Sequence, residues 1–178
     1  MRVIAGRYGG RRLQAPRGAE TRPTSDRVRE ALFSVLGEGI YGARVLDLFA
    51  GSGALGIEAL SRGAEAATFV DSAADAVRAI NANLDALGLK AQVRRSDALR
   101  FLHSAPRDAR QYDLVFLDPP YRLATRLERE LSEALPAVLA PGAVVVAESD
   151  RRAPLALDLP LHDERRYGDT LLRIHGPR

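Results

Sequence analysis

"RVLDLFAGSGALGIEALSRG", residues 44–63, decides the fold of this chain of 178 residues. Its first part, RVLDLFA, is an apolar run broken only by Asp47, the pattern of a short buried strand, and its second, GALGIEALSRG, predicts a helix. Between them Gly51, Gly53 and Gly56 fall at the spacing GxGxxG. At a strand–turn–helix junction such glycines permit a tight turn, admit a ligand to the backbone and let the helix lie close on its strand. The stretch therefore predicts a nucleotide-like ligand at the switch point of a parallel sheet. Taken alone it fits a dinucleotide-binding enzyme equally well.

The pattern continues downstream. AATFVD (66–71), AQVRRSD (91–97), YDLVFLD (112–118) and GAVVVAES (142–149) read as strands. SAADAVRAINANLDALGL (72–89), residues 98–103 and ATRLERELSEALPAVL (124–139) read as the helices between them. Strands alternating with helices of this length imply right-handed crossovers and a parallel sheet covered on both faces. The tail carries two further strands joined by YGD (167–169) with no helix between, which predicts an antiparallel hairpin at the sheet edge. Upstream, MRVIAGRYGGRRLQAP (1–16) alternates around Gly9-Gly10 as a hairpin or an extended arm presenting arginines. TRPTSDRVREALFSVLG (21–37) predicts a helix capped by Thr24, Ser25 or Asp26, with Val28, Ala31, Leu32, Val35 and Leu36 on its buried face. The expected architecture is one doubly wound α/β sheet, mostly parallel, with a C-terminal antiparallel edge hairpin and a small N-terminal hairpin-and-helix extension. Residues 1–40 form the extension and 41–178 the body.

The composition, 46% hydrophobic and 28% charged, offers no apolar run near the roughly 20 residues of a membrane span, and no basic leader precedes an apolar segment. A cytoplasmic, membrane-free protein is expected. Cysteine is absent, so disulfides, thiolate metal sites and a cysteine nucleophile are excluded, and His103, His162 and His175 are too scattered for a metal site or a His-based triad. Net charge is +3, yet residues 1–30 alone hold eight arginines against three acids. The positive charge is thus gathered at one end, the footprint of a polyanion-binding face on a body of slightly negative charge. Arg7, Arg11, Arg12, Arg22 and Arg27 are its candidate contacts.

Three acids specify the ligand. Asp71, ending the second strand 20 residues after Gly51, stands where ribose hydroxyls are held. Asp47 lies inside the first strand, where a carboxylate is costly unless it meets a cation or several donors, and a ligand ammonium would serve. Asp97, ending the third strand, can accept from an adenine amino group. Ribose, adenine and ammonium together describe S-adenosylmethionine.

The fourth strand ends in DPPY (118–121), beside the glycine loop in a doubly wound sheet. Pro119 and Pro120 stiffen the chain and remove two N–H donors, leaving the Asp118 carboxylate and the Pro119 carbonyl as acceptors. Two acceptors gripping the hydrogens of an exocyclic base amine favour a pyramidal, reactive nitrogen. Tyr121 supplies a flat face on which the base can stack for in-line attack. The reaction expected is direct methyl transfer to a base amine, without a covalent intermediate or a metal.

DLFAGSGALGIEALSRGA with FLDPPY resembles the class I S-adenosylmethionine-dependent amino-methyltransferases. RPTSDRVREALF and YGDTLL narrow the resemblance to the bacterial small-subunit ribosomal RNA guanine-N2 methyltransferases of the D type, over nearly the whole chain. That resemblance implies the class I, Rossmann-like fold and a methyl group placed on N2 of one guanine of 16S rRNA, on the 30S particle or an assembly intermediate. By position it implies Asp47, Gly51 and Gly53 on the methionine part, Asp71 on the ribose, Asp97 with the Ala98 amide on the adenine, and Asp118, Pro119 and Tyr121 around the guanine. It further implies that residues 22–29 close over the cofactor carboxylate or approach the RNA, chiefly through Thr24, Asp26 and Arg27. The protein is expected to be a monomer that releases S-adenosylhomocysteine.

A DNA adenine-N6 or cytosine-N4 methyltransferase would use the same DPPY, but usually needs an added region to read duplex sequence, whereas loop RNA already offers splayed bases. A protein-glutamine methyltransferase leaves the basic segment unexplained. An NAD-dependent oxidoreductase explains the glycines and Asp71 but leaves DPPY and Asp47 idle, and a binding-only RNA module leaves the whole cofactor constellation unused.

Overall fold

The computed structural model describes residues 1–16, 25–104 and 111–176, with the backbone alone for residues 121–125. Thr24 and Arg22 fall outside these residues, as does the Tyr121 side chain.

Seven strands form one sheet: β1 (Arg44–Leu48), β2 (Ala66–Asp71), β3 (Gln92–Arg95), β4 (Tyr112–Leu117), β5 (Leu139–Asp150), β6 (Leu161–Tyr167) and β7 (Thr170–His175). Their order is β3-β2-β1-β4-β5-β7-β6, with β7 antiparallel to both neighbours and the pairs from β3 to β5 parallel. Helices α1 (Asp26–Leu36), α2 (Ala54–Ser61) and α3 (Ala74–Leu87) cover one face. Helices α4 (Ala98–Ser104) and α5 (Tyr121–Ala134) cover the other. The order reverses between β1 and β4, so the switch point at which a ligand is predicted lies at the carboxyl ends of those two strands. The doubly wound sheet and its C-terminal antiparallel hairpin are as predicted. Among the described residues no helix is long and apolar enough to cross a membrane.

Burial explains the alternation. Central strands are apolar on both sides because each face is covered: Val45, Phe69, Leu114 and Phe116 belong to one core, Leu46, Leu48, Val115 and Leu117 to the other. In the first core Phe33 of α1 meets Phe116 of β4 at 5.7 Å between ring centroids.

Two sequence expectations shift. The buried face of α1 runs through Val28, Arg29, Leu32 and Phe33, while Ala31, Val35 and Leu36 are only partly covered. Arg29 is fully buried because its guanidinium bonds the Arg2 carbonyl at 2.6 Å and the Asp26 carboxylate at 2.7 Å, which a purely apolar reading of the face overlooks. The helix expected from residue 124 to 139 instead starts at Tyr121, straight after Pro120, and stops at Ala134, with residues 135–138 tightening into a 3₁₀ turn around Pro136. A proline has no N–H with which to continue the α-helical ladder.

Of the two readings of the N-terminus, the hairpin forms, with Arg2 bridged to Arg12 and the Gly10 amide donating to the Val3 carbonyl at 2.9 Å. It lies against α2: the Ile4 and Ala5 amides donate to the buried Glu58 carboxylate at 2.6 and 3.0 Å, and the Arg7 amide donates to the Ser61 carbonyl at 2.7 Å. Asn83 of α3 ties the returning strand to the glycine loop, donating to the Gln14 carbonyl at 3.0 Å and the Ser52 carbonyl at 2.9 Å.

Candidate active site

The loop after β1 is wound tightly. Phe49, at φ 61°, is the non-glycine residue of positive φ among the described residues, and Gly51 and Gly53 follow at 57° and 77°. Such strain in a non-glycine residue persists only where surrounding structure enforces it, and it concentrates at functional sites. Here the Ala50 amide donates to the Val70 carbonyl at 3.0 Å, and the Gly51 amide donates to Asp71 Oδ2 at 2.9 Å. Two glycines then serve opposite ends. A Cβ on Gly56 would meet Phe69 Cε1 at 2.3 Å, so the absence of a side chain is what seats α2 on β2. A Cβ on Gly51 would have only the Phe49 carbonyl within 4.0 Å, so that side of the loop faces open space.

Asp47 is buried, 2% exposed, and accepts from the Gly56 amide at 2.9 Å. Burial pushes its carboxyl up to about 8; the Gly56 hydrogen bond opposes this and the neighbouring Asp71 charge adds to it. The cost inferred from sequence for an acid inside this strand is therefore present in the fold.

Asp71 accepts the Gly51 amide on one oxygen and the Ala73 amide, at 2.8 Å, on the other, so it shapes the loop. Each carboxylate oxygen has a second lone pair for a hydroxyl donor. Asp97 caps α4: its Oδ1 accepts from Leu99 at 3.0 Å and Arg100 at 3.1 Å, passing over Ala98, whose amide is the first of the helix. A first-turn amide has no intrahelical partner and is available to a ligand.

Asp118 follows the last residue of β4, with Pro119 buried and Pro120 exposed behind it. Burial, then the charges of Glu148 and Asp47, hold the Asp118 carboxyl well above the usual carboxylate range. Asp47, Asp71, Asp118 and Glu148 thus come from four strands to the carboxyl end of one sheet. Glu148, 4% exposed, escaped the sequence reading. The signal was there: an acid inside VVVAES is as anomalous as Asp47 inside RVLDL.

The basic residues divide. Arg7, Arg11, Arg12 and Arg27 are exposed and pair with no acid among the described residues. Asp26 is engaged by Arg2 at 3.3 Å and Arg29 at 2.7 Å, fixing the start of α1 against the hairpin, and these contacts, led by the Arg29 bond, lower its carboxyl. Arg7 sits beside Ser61, at the far end of α2 from the glycine loop, about 12 Å along a helix of eight residues.

Comparison with known proteins bears on this geometry. The family profile described as "Conserved hypothetical protein 95" matches residues 1–176. The "Ribosomal RNA small subunit methyltransferase D" of Escherichia coli (strain K12) is 43% identical over 123 residues, covering 68% of this chain and 61% of that protein. Its namesake in Haemophilus influenzae is 38% identical over 160 residues, covering 87% and 81%. Among solved structures, the T. thermophilus 16S rRNA N2 G1207 methyltransferase (RsmC), in complex with AdoMet and guanosine, superposes with a TM-score of 0.73 at 25% identity, over 91% of this chain and 45% of that one.

Proposed function

This chain belongs to the family described as Conserved hypothetical protein 95, that of the ribosomal RNA small subunit methyltransferases D, and on that premise we propose that it methylates N2 of a guanine in 16S rRNA. The methyl donor is S-adenosylmethionine, and the substrate is the 30S subunit or an assembly intermediate, met by a monomer in the cytoplasm.

The observation that carries this reading is the convergence of the Asp118 carboxylate with the glycine loop at the one point where the strand order reverses. The residues fit the cofactor. A buried carboxyl held at about 8 gains most from a cation, and the loop is open at Gly51, where a ligand backbone can approach. Asp47 holds the ammonium, with Gly51 and Gly53 along the methionine part; Asp71 holds the ribose; the Ala98 amide and Asp97 hold the adenine; Thr24 closes over the carboxylate. Bound there, the cofactor supplies an electrophilic methyl group.

Asp118 and the Pro119 carbonyl accept the two hydrogens of the guanine amine, and Tyr121 stacks on the base. Their work is to fix the nitrogen lone pair on the line of attack, a positioning effect realised in the transition state. Support for guanine comes from the T. thermophilus relative, whose complex holds guanosine together with AdoMet. Arg7, Arg11, Arg12, Arg22 and Arg27 neutralise backbone phosphates of the RNA.

A thermal-shift comparison tests the cofactor. S-adenosylhomocysteine raises Tm and NAD leaves it unchanged; stabilisation by NAD alone contradicts the reading. Asp118→Ala tests the amine site: turnover falls by roughly 100-fold or more while cofactor affinity stays within about two-fold. A large loss of cofactor affinity in that variant would place Asp118 elsewhere.

A further inference from the structure

Direct transfer leaves a proton to be accounted for. The amine nitrogen forms a bond to the methyl carbon, the carbon–sulfur bond breaks with its electron pair going to sulfur, and one N–H proton must depart to give a neutral methylated amine. The site described above uses Asp118 only as an acceptor of hydrogen bonds and leaves Glu148 without a task.

The sheet places these two acids together. Phe116 pairs with Val146 and Leu117 with Ala147, so Asp118 and Glu148 are the next neighbours across two parallel strands. Phe116 and Val146 both belong to the core beneath α1, α2 and α3, and a period of two puts Asp118 and Glu148 on that same face. Asp47, paired with Phe116 through β1, lies on it as well. We infer that Asp118 and Glu148 work as one carboxyl pair that takes up the amine proton, Asp118 accepting it and Glu148 acting as the positioning residue that sets its basicity. The inference rests on the reading of the site as an amino-methyltransferase.

The physical reason is basicity. An ordinary exposed aspartate is too weak a base to hold a proton near neutral pH, and an efficient proton acceptor is one matched to the working pH. Two carboxyls side by side, Glu148 buried and Asp118 half-buried, cannot both ionise freely, so the pair retains a proton more firmly than burial alone would make Asp118 do. The groups that act on Asp118 are Glu148 from β5 and Asp47 from β1, both acids, and among the described residues no cation pairs with Asp118.

The test combines two readouts. In the ligand-free protein, carbon-13 NMR of labelled carboxyl groups follows the titration of Asp118 in the native chain, in Glu148→Gln and in Glu148→Asp. The pair predicts that Asp118 titrates above the ordinary carboxylate range, moves to lower pH in Glu148→Gln, and stays elevated in Glu148→Asp, which keeps the charge. Single-turnover methylation then rises with pH as Asp118 ionises. In Glu148→Gln that rise moves to lower pH and the plateau drops roughly ten-fold, because a weaker base accepts the proton less well. Binding of S-adenosylhomocysteine changes less than about two-fold, as expected for a group that acts on the amine and not on the cofactor. An Asp118 titration that does not move in Glu148→Gln overturns the inference, whatever the activity. A titration that moves as described in a protein that methylates no base amine retains the pair and overturns the function on which it was placed.

Discussion

Asp47 shows how one residue links sequence, stability and ligand. Its carboxyl is held at about 8 against a usual 3.8, so the folded state favours the neutral form. For a carboxyl raised in this way, the associated stability is complete below the unfolded value and is lost as pH rises through about 8. Asp47→Asn keeps an acceptor for the Gly56 amide and removes the charge, so the ligand-free variant is expected to melt a few degrees above the native protein at pH 9, with the difference vanishing near pH 4. Scanning calorimetry at the two pH values checks this. The same residue makes cofactor binding pH-dependent. A cation selects the carboxylate, so affinity climbs by up to about ten-fold per pH unit below 8 and falls again once the ligand ammonium itself loses its proton. Titration calorimetry in buffers of different ionisation enthalpy should report close to one proton released at pH 6.5. Asp47→Asn weakens binding roughly 100-fold and abolishes that proton release.

At the scale of the element, the turn from β1 into α2 separates packing from ligand access. Gly56→Ala drives a methyl group into the Phe69 ring and is expected to cost about 1–3 kcal/mol of stability, seen as a lower denaturant midpoint. Gly51→Ala meets open space but must hold φ at 57°, so it costs only about 1 kcal/mol of stability while reducing cofactor affinity far more. If both variants lost stability and affinity in proportion, the loop would be a structural turn and no more. Elements of this kind were legible in sequence because their residues answer to local rules: alternating strands, glycines at fixed spacing, Ser25 capping α1 by accepting from the Val28 amide at 3.3 Å. What was not legible depended on tertiary partners. Arg29 is buried because Arg2 and Asp26 meet it, and Glu148 joins the site only because β5 lies beside β4. Neither adjacency can be read from spacing along one chain. Asp26, one of the three candidate caps, is held by Arg2 and Arg29 instead, for the same reason.

At the scale of the whole molecule, the hairpin that reads as a free basic arm is a strap along α2, held by Glu58 and Ser61. Arg7 therefore lies at the far end of α2, and RNA that reached it would extend about 12 Å beyond the glycine loop. Replacing Arg7, Arg11 and Arg12 with Gln should reduce the slope of log affinity against log salt by roughly 2, leaving cofactor binding unchanged; an unaltered slope would show that the docking face lies elsewhere. On the function proposed, polyanion recognition by these arginines and amine chemistry at the acids would occupy different parts of the molecule. The central claim is that the molecule delivers one guanine amine to Asp118. Labelled S-adenosylmethionine, offered with small subunits from cells lacking the gene and in parallel with naked rRNA and duplex DNA, tests it in one assay after nucleoside digestion and chromatography. Label is expected as N2-methylguanosine on the subunits; label as methylated adenine or cytosine in the DNA would assign the enzyme a different substrate.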